Sequence, residues 1–357
     1  MAKKTKNTTV KKETVPAKTE SAPSAKEGGI KTNKIVLFSG LGLIILAVIT
    51  LFVIYGRVRV VDNAMENSIA AGSTCWLNKM ASPDYSDIVA YIHPETDSVV
   101  ASARDKNYYQ MCRRWGASWV SKAEVVEQDI KHRPTFVSRC TALPGDIIEI
   151  RDNHVIVNKK ETAPLATNKN LYYVVSDGII NPAVLDSLGL THSDIDGETD
   201  YAEDFINLYR QSTKTYSAVK IYSLTSEAAK KLSKLSVIKK IDRVCLPKKH
   251  FEPTVFPYTK EDAWNESNFG PLIIPQENKV IKFSNVQVAK YYRRAIEAYE
   301  GNKMDIKGNK VFINGKEANS YRFTQNYYFV LNDNRASKND SRFFGLLPEK
   351  YIVGVVY

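Results

Sequence analysis

Along the chain, one uninterrupted apolar run stands apart from a long body in which apolar and polar positions alternate. The run is Ile35 to Tyr55, IVLFSGLGLIILAVITLFVIY, with no charge in its 21 residues. At 1.5 Å per residue a helix of that length covers about 31 Å, the thickness of a bilayer's hydrocarbon core. Residues 35–55 are therefore expected to form a transmembrane helix. Cleavage as a signal peptide is disfavoured, because the apolar stretch is long and Gly56-Arg57-Val58-Arg59 makes a poor cleavage site. No second run of this quality follows.

The body reads as mainly β. Short β-branched runs at 87–92, 146–152 and 154–158 are bounded by turn formers such as Pro144-Gly145 and Asp152-Asn153. Residues 308–316 (GNKVFINGK) read as a strand ending in an Asn-Gly hairpin turn. Residues 327–331 and 351–357 add two more strands. Helical patterning is expected at about 118–130, 201–211, 226–240 and 286–299. Twenty Tyr and thirteen Phe agree with a β-rich body.

Charge changes the picture at the N-terminus. Residues 1–34 hold nine Lys and three Glu in a Thr/Ser/Ala/Pro/Gly background, a net +6 out of +11 for the whole chain. Such a segment cannot build a core and is expected to be a disordered tail. Lying next to an apolar span, it reads as a cytoplasmic tail under the positive-inside rule, which places the C-terminal body outside. A nucleic-acid-binding arm is the rival reading, and it is not needed. With 43% apolar and 25% charged residues in 357, the chain is neither collagen-like, nor wholly disordered, nor polytopic. The four cysteines (75, 112, 140 and 245) contain no CxxC pair, and a disulfide is possible without being implied. The five histidines are scattered without metal-ligand spacing.

Three separated segments carry the chemistry. The first is Val60–Lys79, VVDNAMENSIAAGSTCWLNK; the second is Arg139–Asp152, RCTALPGDIIEIRD; the third is Tyr328–Gly345, YFVLNDNRASKNDSRFFG. Their order and spacing resemble bacterial type I signal peptidases of the S26 family, membrane-anchored Ser/Lys endopeptidases. That family carries a Ser-Met-x-Pro-Thr-Leu box, a Lys-Arg-x-x-Gly-Leu-Pro-Gly-Asp box and a Gly-Asp-Asn-Arg-x-x-Ser-x-Asp-Ser-Arg box. The matching positions are Met65 in the first, Arg139, Leu143, Pro144, Gly145 and Asp146 in the second, and Asp333, Asn334, Arg335, Ser337, Asp340, Ser341 and Arg342 in the third. The third match allows one extra residue between Ser337 and Asp340.

The resemblance implies an antiparallel β core at 56–160 and 270–357, with an inserted α+β cap domain at 161–269. Segment 97–133 is a further insertion that the resemblance does not place. It implies a single-pass protein of the bacterial inner membrane, facing outward, with signal peptides or preproteins, the secretion machinery or an active signal peptidase as partners beside membrane lipid, and with neither a cofactor nor nucleic acid. It also sets Ala64 at the family's nucleophile and Ser138 at its general base. A Ser/Lys dyad needs a hydroxyl to attack and a buried, neutral Lys to take its proton. Alanine has no lone pair, and serine is no base at neutral pH. Asn67, Ser73 and Asn332 depart from the family's Pro, Asp and Gly. The expectation is a pseudoenzyme that keeps the scaffold and a peptide-binding groove. Two alternatives stand beside it. One is an active signal peptidase carrying a knock-out substitution or a relocated nucleophile, with Ser68 the first candidate. The other is an anchored structural module that works through its insertion.

Overall fold

The computed structural model describes residues 42–43, 45–102, 107–116, 124–190, 202–214 and 218–357. The expected tail, 1–34, lies outside them, as does part of the expected span. The chain divides into two compact units, Met1–Phe52 and Val53–Tyr357. In the first, the described residues are helical and their large apolar side chains are exposed, Leu43 by 67% and Phe52 by 74%. Among the described residues, no helix is long and apolar enough to cross a membrane.

The second unit is mainly β, in several antiparallel sheets. Its largest sheet has seven strands, in the spatial order Tyr55–Arg59, Thr74–Asn78, Ile352–Val356, Ile88–Ile92, Thr135–Ala142, Tyr327–Leu331 and Leu347–Pro348. Side chains alternate across a strand, and here both faces are covered. Val89, Tyr91, Cys140, Val330 and Phe344 form one apolar cluster. Ala90, Val137, Met65, Leu77 and Val58 form another. The strand Thr135–Ala142 thus sends Ser138 towards the first cluster and Arg139 away from it.

A four-stranded sheet, Phe269–Ile273, Ile147–Arg151, His154–Val157 and Lys160–Glu161, covers a second core of Ile148, Phe269, Tyr292, Phe323 and Phe329. Both of its tight turns have two successive residues at positive φ, Asp152-Asn153 (48° and 69°) and Asn158-Lys159 (51° and 67°). That geometry suits the twist of a hairpin, and Asn and Asp tolerate it best among residues with a side chain. The Asn314-Gly315 turn behaves in the same way, at 49° and 78°.

Residues 169–243 hold a third sheet, in the order Ala218–Thr225, Lys169–Ser176, Ile238–Arg243. One face packs against the helix Ala202–Thr213 through Phe205 and Tyr209, which meet Tyr173 and Ile221. The other buries Val174, Leu224 and Ile238 with Leu185 and Leu232 of the helices Pro182–Ser187 and Ser226–Leu232.

Three helix expectations are corrected. The helix at 226–240 stops at Leu232, and Ile238–Arg243 becomes a strand paired with Tyr172–Ser176. Residues 118–123 lie outside the described residues, and Val125–Glu127 is a strand against Ser98–Val100. The stretch 286–299 is divided into the helix Val286–Tyr291 and a π-helical turn, Ala295–Tyr299. In the first two, pairing with a distant strand outweighs a local preference that is worth only tenths of a kcal/mol per residue.

Candidate functional site

The first segment follows the edge strand Tyr55–Arg59 as a closed loop. The amide of Val60 donates to Ser73 O at 2.9 Å, and Gly72 N donates back to Val60 O at 2.9 Å. Within the loop, Ser68 N and Ile69 N both donate to Met65 O, making a tight turn that buries Ala64 and Met65. Ala64 N donates to Asp62 Oδ1 at 3.2 Å, and Ala64 O accepts from Asn334 N at 2.9 Å. The Met65 thioether accepts from Asp333 N at 3.4 Å. The first and third segments are thereby joined by main-chain and side-chain contacts together.

Ser138 reaches the same stretch from the other side. Its hydroxyl donates to Asn332 Oδ1 at 2.6 Å and lies 2.9 Å from Tyr91 OH. Asn332 Nδ2 then donates to Ser337 Oγ at 3.1 Å. Tyr91 OH also lies 2.8 Å from Asn339 O, and Asn339 Nδ2 donates to Asp62 Oδ2 at 3.0 Å. Ala64 and Ser138 therefore converge on Asn332–Asn334 through a network that runs from Asp62 to Ser337. Burial pushes the Tyr91 phenol well above its ordinary value, so it is neutral at every physiological pH. Burial also raises the Asp62 carboxyl, against the bonds from Asn339 and Ala64 that lower it.

The rest of the third segment is ionic. Arg139 holds Asp333 with two parallel bonds, Nε to Oδ1 at 2.8 Å and a terminal nitrogen to Oδ2 at 2.6 Å. Ser68 Oγ donates to the same carboxylate at 2.5 Å. Although burial opposes it, the bonds from Arg139 and Ser68 hold the Asp333 carboxyl below the usual aspartate range. Asp340 caps the helix Ser341–Phe344 through Arg342 N and pairs with the Arg342 guanidinium, 2.8 Å away. Arg342 continues to the carbonyls of Arg335 and Ser337, and Ser341 Oγ accepts from Val330 N. Gly345 ends this helix at φ +82°, where a Cβ would lie 2.6 Å from the Phe256 ring.

In the second segment Asp146 ties the turn together. Its carboxylate accepts from Leu143 N, Tyr85 OH and Asn158 Nδ2, each at 2.7 Å. Pro144 precedes Gly145, which takes φ +96°, a region that glycine enters without strain. Asp333 and Arg335 also bind the third sheet: Lys169 N donates to Asp333 O and Arg335 N to Lys169 O, each at 2.9 Å. Lys169 Nζ pairs with Glu66 at 2.8 Å.

These three segments, brought together in this order, match the family described as signal peptidase, peptidase S26, over residues 33–200 and 231–357. The chain belongs to the signal peptidase S26 family. No curated protein matches it. The internal unmatched stretch of this S26 chain, 201–230, is narrower than the expected insertion and contains the helix Ala202–Thr213, the strand Ala218–Thr225 and most of the helix Ser226–Leu232. The matched stretch takes in the apolar run at 35–55.

Sequence reasoning missed Tyr91, Asn339, Asp62 and Lys169. A Tyr within Ile-Val-Ala-Tyr-Ile reads as an ordinary core residue, and nothing local marks its hydroxyl as a partner of Ser138.

Proposed function

We propose that this S26 protein is a membrane-anchored signal-peptidase homologue that binds signal peptides or the exported chains that carry them, and does not cleave them. Family membership supports a signal-peptidase-like function. The observation that carries the finer reading is the centre of the site, where a methyl group stands at position 64 and a neutral Tyr91–Ser138–Asn332 chain stands at position 138. Peptide cleavage by this family's chemistry needs a nucleophilic oxygen and a base that accepts its proton. Neither side chain supplies one. Recognition by strand addition uses main-chain hydrogen bonds and needs neither. In this reading residues 35–55 span the inner membrane, 1–34 stay in the cytoplasm, and the body with its 161–269 cap faces outward.

Ser68 offers the second reading, a relocated nucleophile, because its hydroxyl donates to a carboxylate. That carboxylate is a weak base. Arg139 holds it ionised, and a carboxyl below the usual range binds a proton poorly. Ser68 therefore acts as a brace.

Photo-crosslinking tests the binding function. The full chain, solubilised from membranes with a photoreactive residue at the exposed position 70 of the loop, is mixed with a labelled preprotein. The expected result is a crosslink that is competed by unlabelled signal peptide and yields no cleaved product. Absence of any competed crosslink, with the loop intact by circular dichroism, removes the binding reading.

A further inference from the structure

A cavity of about 260 Å³ opens beside the second segment, lined by Tyr85, Arg139, Asn168, Leu165, Arg243 and Arg335 among others. It lies between the four-stranded sheet and the strand Lys169–Ser176. The positive charge on its wall exceeds what its neighbours neutralise. The nearest carboxylates of the third segment are occupied: Asp333 by Arg139, and Asp340 by Arg342. Glu161, the single carboxylate lining the cavity among the described residues, is bonded to His154 at 2.7 Å. Arg243 donates to a neutral amide oxygen, that of Asn170. Arg335 has a buried Nε without a partner, and Asn168 has a buried Oδ1 without one. A lost hydrogen bond at a buried polar atom costs about 1–3 kcal/mol, so two such atoms on residues that line one cavity point to a place where a ligand's polar groups fit. Burial, reinforced by the Arg342 charge, pulls the Arg335 guanidinium down to about 10 against the opposing charges of Asp340 and Asp333.

We propose that this cavity is a carboxylate-binding site, in which Arg335 and Arg243 hold the acid group and Asn168 accepts an N–H from the backbone that carries it. The ligand class is an acidic peptide: guanidinium groups favour flat oxyanions, and Tyr85 and Leu165 offer apolar wall to the rest of the residue. This deepens the peptide-binding reading, because it gives that peptide an acidic residue or a free chain end to place beside the groove.

The test is isothermal titration of the full chain in detergent. The probes are N-acetyl-glutamate methylamide, N-acetyl-glutamine methylamide, N-acetyl-alanine with a free carboxylate, and inorganic phosphate. The glutamate probe or the alanine probe is expected to bind and the glutamine probe is not; which acid binds tells a side-chain carboxylate from a chain end. Arg335→Gln and Arg243→Gln should each weaken the acid about tenfold or more, since bonds to charged groups are the stronger ones. Arg243 is exposed at the rim, so Arg243→Gln decides the matter if Arg335→Gln fails to fold. No binding by either acid, equal binding by the glutamine probe, or tighter binding by phosphate overturns the proposal. If the acid probes bind while the preprotein crosslink above fails, the site stands and the groove reading falls.

Discussion

Two hydrogen-bonded clusters meet at Asn332-Asp333, and they differ in charge. On the Asp333 side lie two arginine–aspartate pairs, Arg139–Asp333 and Arg342–Asp340, with Asp340 and Asp333 almost wholly buried. On the Asn332 side lies a chain of neutral groups, Tyr91, Ser138, Asn332 and Ser337. The charged pairs fix where the strand Tyr327–Leu331 ends and where the first segment docks. The neutral chain occupies the position that the family resemblance gives to a proton-accepting lysine. The ionic braces and the neutral chain are thus distinct here, and they share only the adjacent residues Asn332 and Asp333.

Mutations should break this comparison unevenly. The largest effect is expected from Asp340→Ala, which leaves the Arg342 guanidinium buried without its carboxylate and removes the cap of the helix Ser341–Phe344. Orphaning one partner of a buried pair costs about 3–5 kcal/mol, read as a shift in the urea midpoint at unchanged slope. Arg139→Met should follow at about 2–4 kcal/mol, because Arg139 is less buried than Arg342.

The Arg139 variant also has a pH signature. The Asp333 carboxyl sits lower in the folded chain than in the unfolded chain. Its stabilisation is complete above the unfolded aspartate value of about 4 and is lost as pH falls through the lower folded value. Stability curves measured from neutral to strongly acidic pH should therefore fall less steeply below about pH 4 in Arg139→Met than in the unaltered protein.

Ser138→Ala should cost less, about 1–2 kcal/mol, by leaving Asn332 Oδ1 and Tyr91 OH short of a partner. That cost should not vary between about pH 5 and pH 9, since no member of the chain titrates there. A strong pH dependence in urea unfolding of this variant would show a hidden charge at the centre. The smallest change is expected at Asn314→Ala, outside both clusters. A left-handed residue other than Gly or Asn costs about 1 kcal/mol, read as a drop of a few degrees in Tm.

The end of the third segment, Asp340–Arg342, was legible because its residues act on near neighbours. Asp340 and Arg342 pair two positions apart, and Ser341 reaches Val330 through one hairpin-like return. The Asn314-Gly315 and Asp152-Asn153 turns were legible because turn geometry depends on two adjacent residues. Tyr91 and Ser138, in contrast, come together from 47 positions apart, and Tyr91 meets Asn339 across 248. Glu95 is another such case: it is buried between Arg113 and Arg294, with Arg113 stacked 3.5 Å from the Tyr258 ring, and no local pattern in its sequence announces it. The helix expected at 226–240 failed for a related reason, since Ile238–Arg243 pairs with a strand more than 60 positions earlier.

The central claim is that the site binds without cutting. It is tested most directly by incubating the unaltered full chain, in detergent, with a labelled preprotein and following the product by mass spectrometry, beside the Ala64→Ser/Ser138→Lys double variant. The account predicts intact preprotein with the unaltered chain over many hours, whatever the double variant does. Cleavage by the unaltered chain at a signal-peptide junction, abolished by Ser68→Ala, would contradict it and place the nucleophile at Ser68.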